Sequence, residues 1–153
     1  MATLTVFTPT YNRAYVLKQC YDSLCRQTCK DFVWLIVDDG SSDNTKEIVD
    51  EWMTNDNGFE IRYVYKQNGG MHTGHNKAYE LIDTELNVCI DSDDFPPDDA
   101  VEKIIKFWNE NGSDKYAGIV ALDYDLEGNI IGDPLPDQKT VNLIDLLIGK
   151  YNL

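Results

Sequence analysis

Residues 32–37 read Phe-Val-Trp-Leu-Ile-Val, six apolar side chains with no polar break. A strand with one wet face alternates apolar and polar residues. An unbroken run of this length fits a strand covered on both faces, as in the middle of a parallel sheet. Burying both faces of a sheet requires helices on each side, so the neighbouring segments should alternate between strand and helix.

They do. Thr3–Thr8 is a short β-rich run that Pro9 should close, and Ala14–Cys25 places Tyr15, Val16, Leu17, Tyr21 and Leu24 at helical spacing. Asp43–Met53 is expected as a helix with Ile48, Val49, Trp52 and Met53 on one side, and Glu60–Tyr65 as the third strand. His75–Ile82 then reads as a short helix and Leu86–Ile90 as the fourth strand. Pro96-Pro97-Asp98-Asp99 opens another helix, since proline and acids both suit a first turn, with Ile104, Ile105, Phe107 and Trp108 as its buried side. Ala117–Leu122 is expected as a fifth strand, Glu127-Gly128-Asn129 as a hairpin tip, and Val141–Ile148 as a final apolar helix. The expectation is one α/β domain over residues 1–153, a mostly parallel sheet flanked by helices. A chain of 153 residues is long enough to hold such a core without disulfides or metals.

In sheets of this kind ligands bind beyond the carboxyl ends of the strands. The loops there are polar: Thr8-Pro9-Thr10-Tyr11-Asn12-Arg13, Asp38-Asp39-Gly40-Ser41-Ser42-Asp43, Lys66-Gln67-Asn68-Gly69-Gly70 running on to His72 and His75, and Asp91-Ser92-Asp93-Asp94. Asp91 and Asp93 point the same way from an extended segment, with Asp94 beside them. Clustered carboxylates favour a cation among them, and hard oxygen ligands suit Mg²⁺ or Mn²⁺. Asp98 and Asp99 read instead as acids at a helix start. Ser42 or Asp43 can cap the second helix and Gly40 can supply its turn, which leaves Asp38 and Asp39 to accept from a nucleobase N–H or from ribose hydroxyls. Gly69-Gly70 permits close approach of backbone to a ligand, and Tyr11 and Arg13 could stack on a base and pair with a phosphate. The roles of His72 and His75 stay open.

Thirteen Lys and Arg against 27 Asp and Glu give a net charge of −14, which disfavours broad contact with nucleic-acid phosphates or anionic lipid. No stretch approaches 18 apolar residues, and residues 1–10 have neither the basic nor the apolar region of a signal peptide. Cys25 and Cys29 have a metal-like spacing, but Cys20 and Cys89 make no second pair. Four reduced thiols in a cytoplasmic chain, or one at the inner face of the membrane, are expected.

In order and spacing, these four loops resemble the nucleotide-sugar-binding half of an inverting family 2 glycosyltransferase with the GT-A fold. Pro9-Thr10-Tyr11-Asn12-Arg13 resembles the family's Pro-Ser/Thr-Tyr-Asn-Arg/Lys loop. Val37-Asp38-Asp39-Gly40-Ser41-Ser42-Asp43-Asn44-Thr45 is similar to its Val-Asp-Asp-Gly-Ser-x-Asp-x-Thr. Asn68 through Asn76 resembles Asn-x-Gly-x-x-x-Ala-Arg-Asn, and Asp91-Ser92-Asp93 the Asp-x-Asp metal motif. The resemblance implies that Pro9, Tyr11 and Asp39 line a uracil pocket, with Arg13 and Asp38 in the same loops. It implies that Gly70 and Asn76 belong to the donor site and that Asp91 lies near the ribose. Asp93, with Asp94, would hold the Mn²⁺ or Mg²⁺ that binds the diphosphate. The implied partners are a UDP-sugar donor and a glycan or lipid-linked acceptor, in the making of cell-surface polysaccharide.

The chain departs from the pattern twice. Gly74-His75-Asn76 stands where the family has Ala-Arg-Asn, which replaces a fixed cation with a titratable group. The family's catalytic base is a carboxylate well after the Asp-x-Asp, and Asp114, Asp123, Asp125, Glu127, Asp133, Asp137 and Asp145 offer no Glu-Asp pair. The base is therefore expected outside this chain, as part of a longer enzyme whose further structure follows Asp133–Asp137 and covers Ile144, Ile148 and Leu153. A non-catalytic nucleotide-sugar-binding module is the alternative. A nucleotidyltransferase fits less well, lacking a Gly-rich basic loop after the first strand, and a receiver-like domain would need its acid pair there.

Overall fold

A computed structural model of the chain describes residues 2–132, 140–142 and 144. It divides into two compact units, Met1–Lys115 and Tyr116–Leu153. The first unit runs β1 (Leu4–Thr10), α1 (Ala14–Cys25), β2 (Phe32–Asp38), α2 (Thr45–Met53), β3 (Glu60–Tyr65), α3 (Met71–Leu81), β4 (Leu86–Cys89) and α4 (Ala100–Asn111). The four strands form one parallel sheet in the order β3-β2-β1-β4. The chain winds outward from β1 to β3 and then returns to the other side of β1, so the strand order reverses between β1 and β4. That is where an open α/β sheet leaves a crevice.

All seven residues of β2 are buried, as its unbroken apolar run demands. Its even-numbered side chains, Trp34 and Ile36, join Leu4, Val6, Leu17, Cys20, Leu24, Val49 and Trp52 on one face of the sheet. The ring of Tyr21 stacks on Trp52 at 4.3 Å between centroids, and Trp34 lies 5.9 Å from Trp52. The opposite face is thinner, with Phe7, Leu35 and Val37 under Ala78 of α3. Gly74 of α3 is buried, and a side chain there would meet Pro9, its Cβ 3.8 Å away.

Several expected boundaries move by a residue or two, and the shifts at the end of β1 and the start of α3 have local reasons. β1 does not stop before Pro9 but continues through it to Thr10, with Pro9 in register with Val37. Phe7 O accepts from Ile90 on the β4 side, and Thr10 O accepts from Asp39 on the β2 side. Alternation puts the nitrogen of Pro9 on the β4 side, beyond the last β4 partner, so its missing N–H breaks no ladder bond. α3 begins at Met71, four residues before the expected start, because Gly70 turns the chain with φ +91° and the first turn that follows, Met71-His72-Thr73-Gly74, shows no apolar period.

α4 buries Val101, with Ile104 and Ile105 half-covered, whereas Phe107 is exposed. At 3.6 residues per turn Phe107 lies about 120° round the helix from Val101. Residues 117–122, expected as a fifth strand, form no strand with any of the described residues and are mostly exposed. A run of six apolar residues becomes a strand only where a neighbouring edge takes its hydrogen bonds. In the second unit β5 (Asp123–Tyr124) and β6 (Ile130–Ile131) pair antiparallel about the expected Glu127-Gly128-Asn129 tip. The Asp125 carboxylate closes that tip by accepting from Glu127 N and Asn129 N. The expected Asp133–Asp137 loop and most of the expected helix Val141–Ile148 lie outside the described residues, as does Leu153. Among the described residues, no helix is long and apolar enough to cross a membrane.

Candidate active site

The loop after β1 is locked to the loop after β2. Asn12 adopts a left-handed backbone, φ +52°, which asparagine tolerates better than most residues. Its Oδ1 accepts from Ser42 N at 2.8 Å and Asp43 N at 3.3 Å, and its own N–H donates to Ser41 Oγ at 2.8 Å. Asp43 bonds both helix starts: Oδ2 accepts from Ala14 N, and Oδ1 accepts from Thr45 N and Thr45 Oγ. Burial would raise the Asp43 carboxyl, but these bonds outweigh it and hold it below the ordinary value. The N-cap position of α2 is thus Asn44, whose side chain makes no capping bond, and Asp43 just before it, not Ser42, accepts from the first N–H of the helix. Tyr11 is left exposed at the tip of the loop.

Asp38 and Asp39 are adjacent in sequence and opposite in role. Asp38 is buried on the Trp34 face, where Oδ1 accepts from Ser41 N at 2.7 Å and Oδ2 from the Tyr63 hydroxyl at 2.5 Å. Burial, and then the bond to Asp38, pushes the Tyr63 phenol up. Asp38 thus braces the turn. Asp39 faces the loop after β3. Oδ1 accepts from Lys66 Nζ and from Gly69 N at 3.0 Å, and Oδ2 accepts from Gly70 N at 2.8 Å. The Asp39 side chain is only 7% exposed. Burial alone would raise it, but Lys66 and the two backbone N–H groups prevail and hold it below the ordinary value. Gly40 makes this approach possible. Its φ is +89°, and a Cβ there would stand 2.8 Å from Asn68 N.

On the other side of β1, the loop after β4 turns at Ser92, which is buried, and leaves Asp91, Asp93 and Asp94 exposed. Asp93 Oδ2 meets Arg13 Nη1 at 2.7 Å, and Gln19 Nε2 donates to the Asp93 carbonyl. The bond to Asp93 holds the guanidinium of Arg13 above its ordinary pKa, with a smaller contribution from Asp91. Cys89 Sγ–H donates to Asp91 Oδ1 at 3.7 Å, and burial, reinforced by Asp91, pushes that thiol up to about 12.

Among the described residues, no three His, Cys, Asp or Glu side chains converge as a preformed metal cage. The set present is nevertheless suited to Mg²⁺ or Mn²⁺. Exposed carboxylates share one turn, and a cation, the Arg13 guanidinium, already sits against Asp93. Such ions bind through one or two carboxylates and keep the remaining positions for water and phosphate oxygens.

The structure therefore groups the expected residues in two sets around the end of β1. Asp39 and Gly70 stand on the β2–β3 side, and Arg13, Asp91 and Asp93 on the β4 side. Pro9, the last residue of β1 but one, lies between them, half-buried. Asn76 lies exposed in the second turn of α3. His75 packs edge-on against Phe7, 5.3 Å between centroids, with Tyr79 beyond, so it serves the helix–sheet contact. Lys66, Thr73 and Asn12 were not singled out from sequence. For Lys66 a signal was present: a lone cation between a strand and a Gly-Gly, in a chain of net charge −14. A shallow hollow at the opposite end of the sheet is lined by Lys30, Glu60, Arg62 and Asp83. There Arg62 is already paired with Glu60 and Asp83, and Lys30 donates to two backbone carbonyls.

A family model described as Glycosyl transferase family 2 matches residues 5–139. Among curated proteins, the glycosyltransferase GlyG of Streptococcus pneumoniae serotype 4 is 30% identical over 116 residues, 75% of this chain and 38% of that protein. Among solved structures, S. aureus TarS 1–349 in complex with UDP-GlcNAc superimposes with a TM-score of 0.67 at 27% identity, over 73% of this chain and 32% of that one. The mannosyltransferase PcManGT from Pyrobaculum calidifontis, in complex with GDP-Man and Mn²⁺, gives 0.63 at 25% identity, over 69% of this chain and 32% of that one. The chain thus spans about a third of the length of each of these proteins.

Proposed function

The chain belongs to glycosyl transferase family 2 and has its GT-A sheet, and on that premise we propose that it binds a UDP-sugar for inverting, metal-dependent transfer to an acceptor hydroxyl. The observation that carries this reading is the placing of a buried, ionised carboxylate, Asp39, on one side of the β1 end and an acidic turn, Asp91–Asp94, on the other. A nucleoside diphosphate has matching parts: a base with N–H donors at one end and an anionic diphosphate at the other.

Asp39 accepts from the base, and the exposed Tyr11 ring offers a stacking surface beside it. Asp91 lies nearest the ribose. Asp93, with Asp94, would hold Mn²⁺ or Mg²⁺, which when bound neutralises charge on the departing diphosphate. Arg13 gives up its pairing with Asp93 as that carboxylate turns to the metal, and pairs instead with the diphosphate, which accepts from a guanidinium as a carboxylate does. We place the acceptor-activating base outside the loops of residues 8–94, in a longer enzyme of which this chain is the donor-binding part. The share of its relatives that the chain spans supports that placing. Four free thiols support a reducing, cytoplasmic setting.

Thermal unfolding with UDP, ADP and GDP, each with and without Mn²⁺ or Mg²⁺, tests this. A ligand at 100 times its dissociation constant adds about 2.7 kcal/mol of stability. UDP should raise the midpoint most, and more with metal. Equal and negligible shifts for the three nucleotides would refute the reading. Turnover of several UDP-sugars with added acceptors separates a donor-binding part from a complete enzyme: transfer by this chain alone would place the base within it.

A further inference from the structure

We propose that Lys66 is the positioning residue for base recognition, its ammonium fixing Asp39 so that a single lone pair on Oδ2 is left for a nucleobase N–H. The inference rests on the uridine-binding reading given above.

An ammonium has three N–H donors. Lys66 Nζ donates to Asp39 Oδ1, to Gln67 O at 2.7 Å and to Thr73 Oγ at 2.7 Å. All three are engaged, so Lys66 has no donor left to read the base itself. Thr73 Oγ, accepting from Lys66, turns its hydrogen to Gly70 O at 2.8 Å. Its separation from Asp39 Oδ1, 3.4 Å, is then a contact between two acceptors. On Asp39, each oxygen offers about two lone pairs. Oδ1 is filled by Lys66 and Gly69 N, whereas Oδ2 has only Gly70 N. One acceptor direction remains on Asp39, a residue that follows the end of β2.

The arrangement is also tied to the backbone. Lys66 N donates to Asp38 O, extending the β2–β3 pairing by one bond, so the root of the Lys66 side chain is held by the sheet. Thr73 lies in the first turn of α3 and the Gly69 and Gly70 N–H groups just before it. Lys66 is the charged group that faces Asp39 from the β3 side. From α3 the titratable group beside Gly70 is His72, whose ring lies 3.3 Å from where a Cβ would stand there. Removing the Lys66 charge leaves Asp39 buried with backbone donors only, so its carboxyl should rise and the Gly69–Gly70 loop should lose its anchor.

The test compares wild type with Lys66→Met and Lys66→Arg. Carbon-detected NMR of the ligand-free protein follows the Asp39 carboxyl through a pH titration, and uridine affinity is measured between pH 5 and pH 7.5. In wild type, Asp39 should titrate below about 3.9 and uridine affinity should be flat over that range. In Lys66→Met the Asp39 titration should move up, and affinity should fall about tenfold, as for loss of a charge-assisted bond, and further towards pH 5. Lys66→Arg should restore the low titration and most of the affinity. A uniform loss at every pH with the Asp39 titration unmoved would overturn the proposal, as would wild-type affinity in Lys66→Met. If Lys66→Met does not fold, Lys66→Arg and Thr73→Val decide: Asp39 should stay low in the first and uridine affinity should fall in the second, and the opposite pair of results would overturn the assignment. Absence of uridine binding by the wild type would refute the nucleotide reading alone, since the ligand-free titration still decides for or against Lys66.

Discussion

The guanidinium of Arg13 and the carboxylate of Asp93, 80 residues apart in the chain, meet at 2.7 Å across the place where the strand order reverses. The pair joins the loops after β1 and β4. It is solvent-exposed on both sides, so it contributes little to stability. On the donor-binding reading proposed above, its weakness suits a contact that would open for a diphosphate and a metal.

Asp93→Asn should therefore leave the fold and the thermal midpoint unchanged while removing the metal-dependent part of UDP binding. Calorimetric titration with UDP, with and without Mn²⁺, checks this. Persistence of the Mn²⁺-dependent gain in affinity would show that Asp93 is not the ligand.

Asp39→Ala should weaken uridine and UDP by the same factor, because it acts on the base and not on the phosphates. Loss of a hydrogen bond to a charged group costs on the order of 1.5–3 kcal/mol, or about tenfold or more in affinity. NMR titration with uridine measures it directly. A loss confined to UDP would instead place Asp39 at the diphosphate.

Gly40→Ala should destabilise the protein by about 1–3 kcal/mol, the usual cost of a side chain in a sparsely populated backbone region. The Cβ would stand 2.8 Å from Asn68 N, a backbone atom that cannot swing aside, so the upper end is expected. Urea unfolding gives the number, and an unchanged midpoint would mean that the Asn68 loop relaxes freely.

Asp39 and Asp43 make the protein acid-sensitive in a defined direction. Both carboxyls are held below their ordinary value in the fold, Asp39 chiefly by Lys66 against the opposing effect of burial, and Asp43 by Thr45 and Ala14. A group with a depressed folded pKa adds stability that is present above its unfolded value and is lost as pH falls through the folded one. Urea midpoints should thus decline below about pH 4. Asp39→Asn and Asp43→Asn should each be less stable at pH 7 and decline less steeply in acid. Variants that decline in parallel with wild type would clear these two groups of responsibility.

What could be read from the chain alone was whatever depended on near neighbours. α1 and β3 have the expected bounds because apolar spacing and flanking loops define them locally. The four loops could be named as a set because each follows a strand. The assignment of individual carboxylates could not be made that way. Asp38 and Asp39 share one sequence context, and only the pleat, which turns one towards Tyr63 and the other towards Lys66, separates them. The Arg13–Asp93 pair depends on strand order, which no local pattern encodes. His75 stood as a candidate for the site because of its place in a motif, and the edge of Phe7 claims it for packing.

Pro9 has a consequence for the crevice itself. Strands lengthen by adding one amide at a time to a neighbour, and β4 has stopped pairing with β1 just where the next donor on that side would be the nitrogen of Pro9. That nitrogen carries no hydrogen, so the next bond of the ladder cannot form. On the β4 side of β1 the pairing thus ends at a position where covalent structure, and not the conformation of a loop, withholds the next donor.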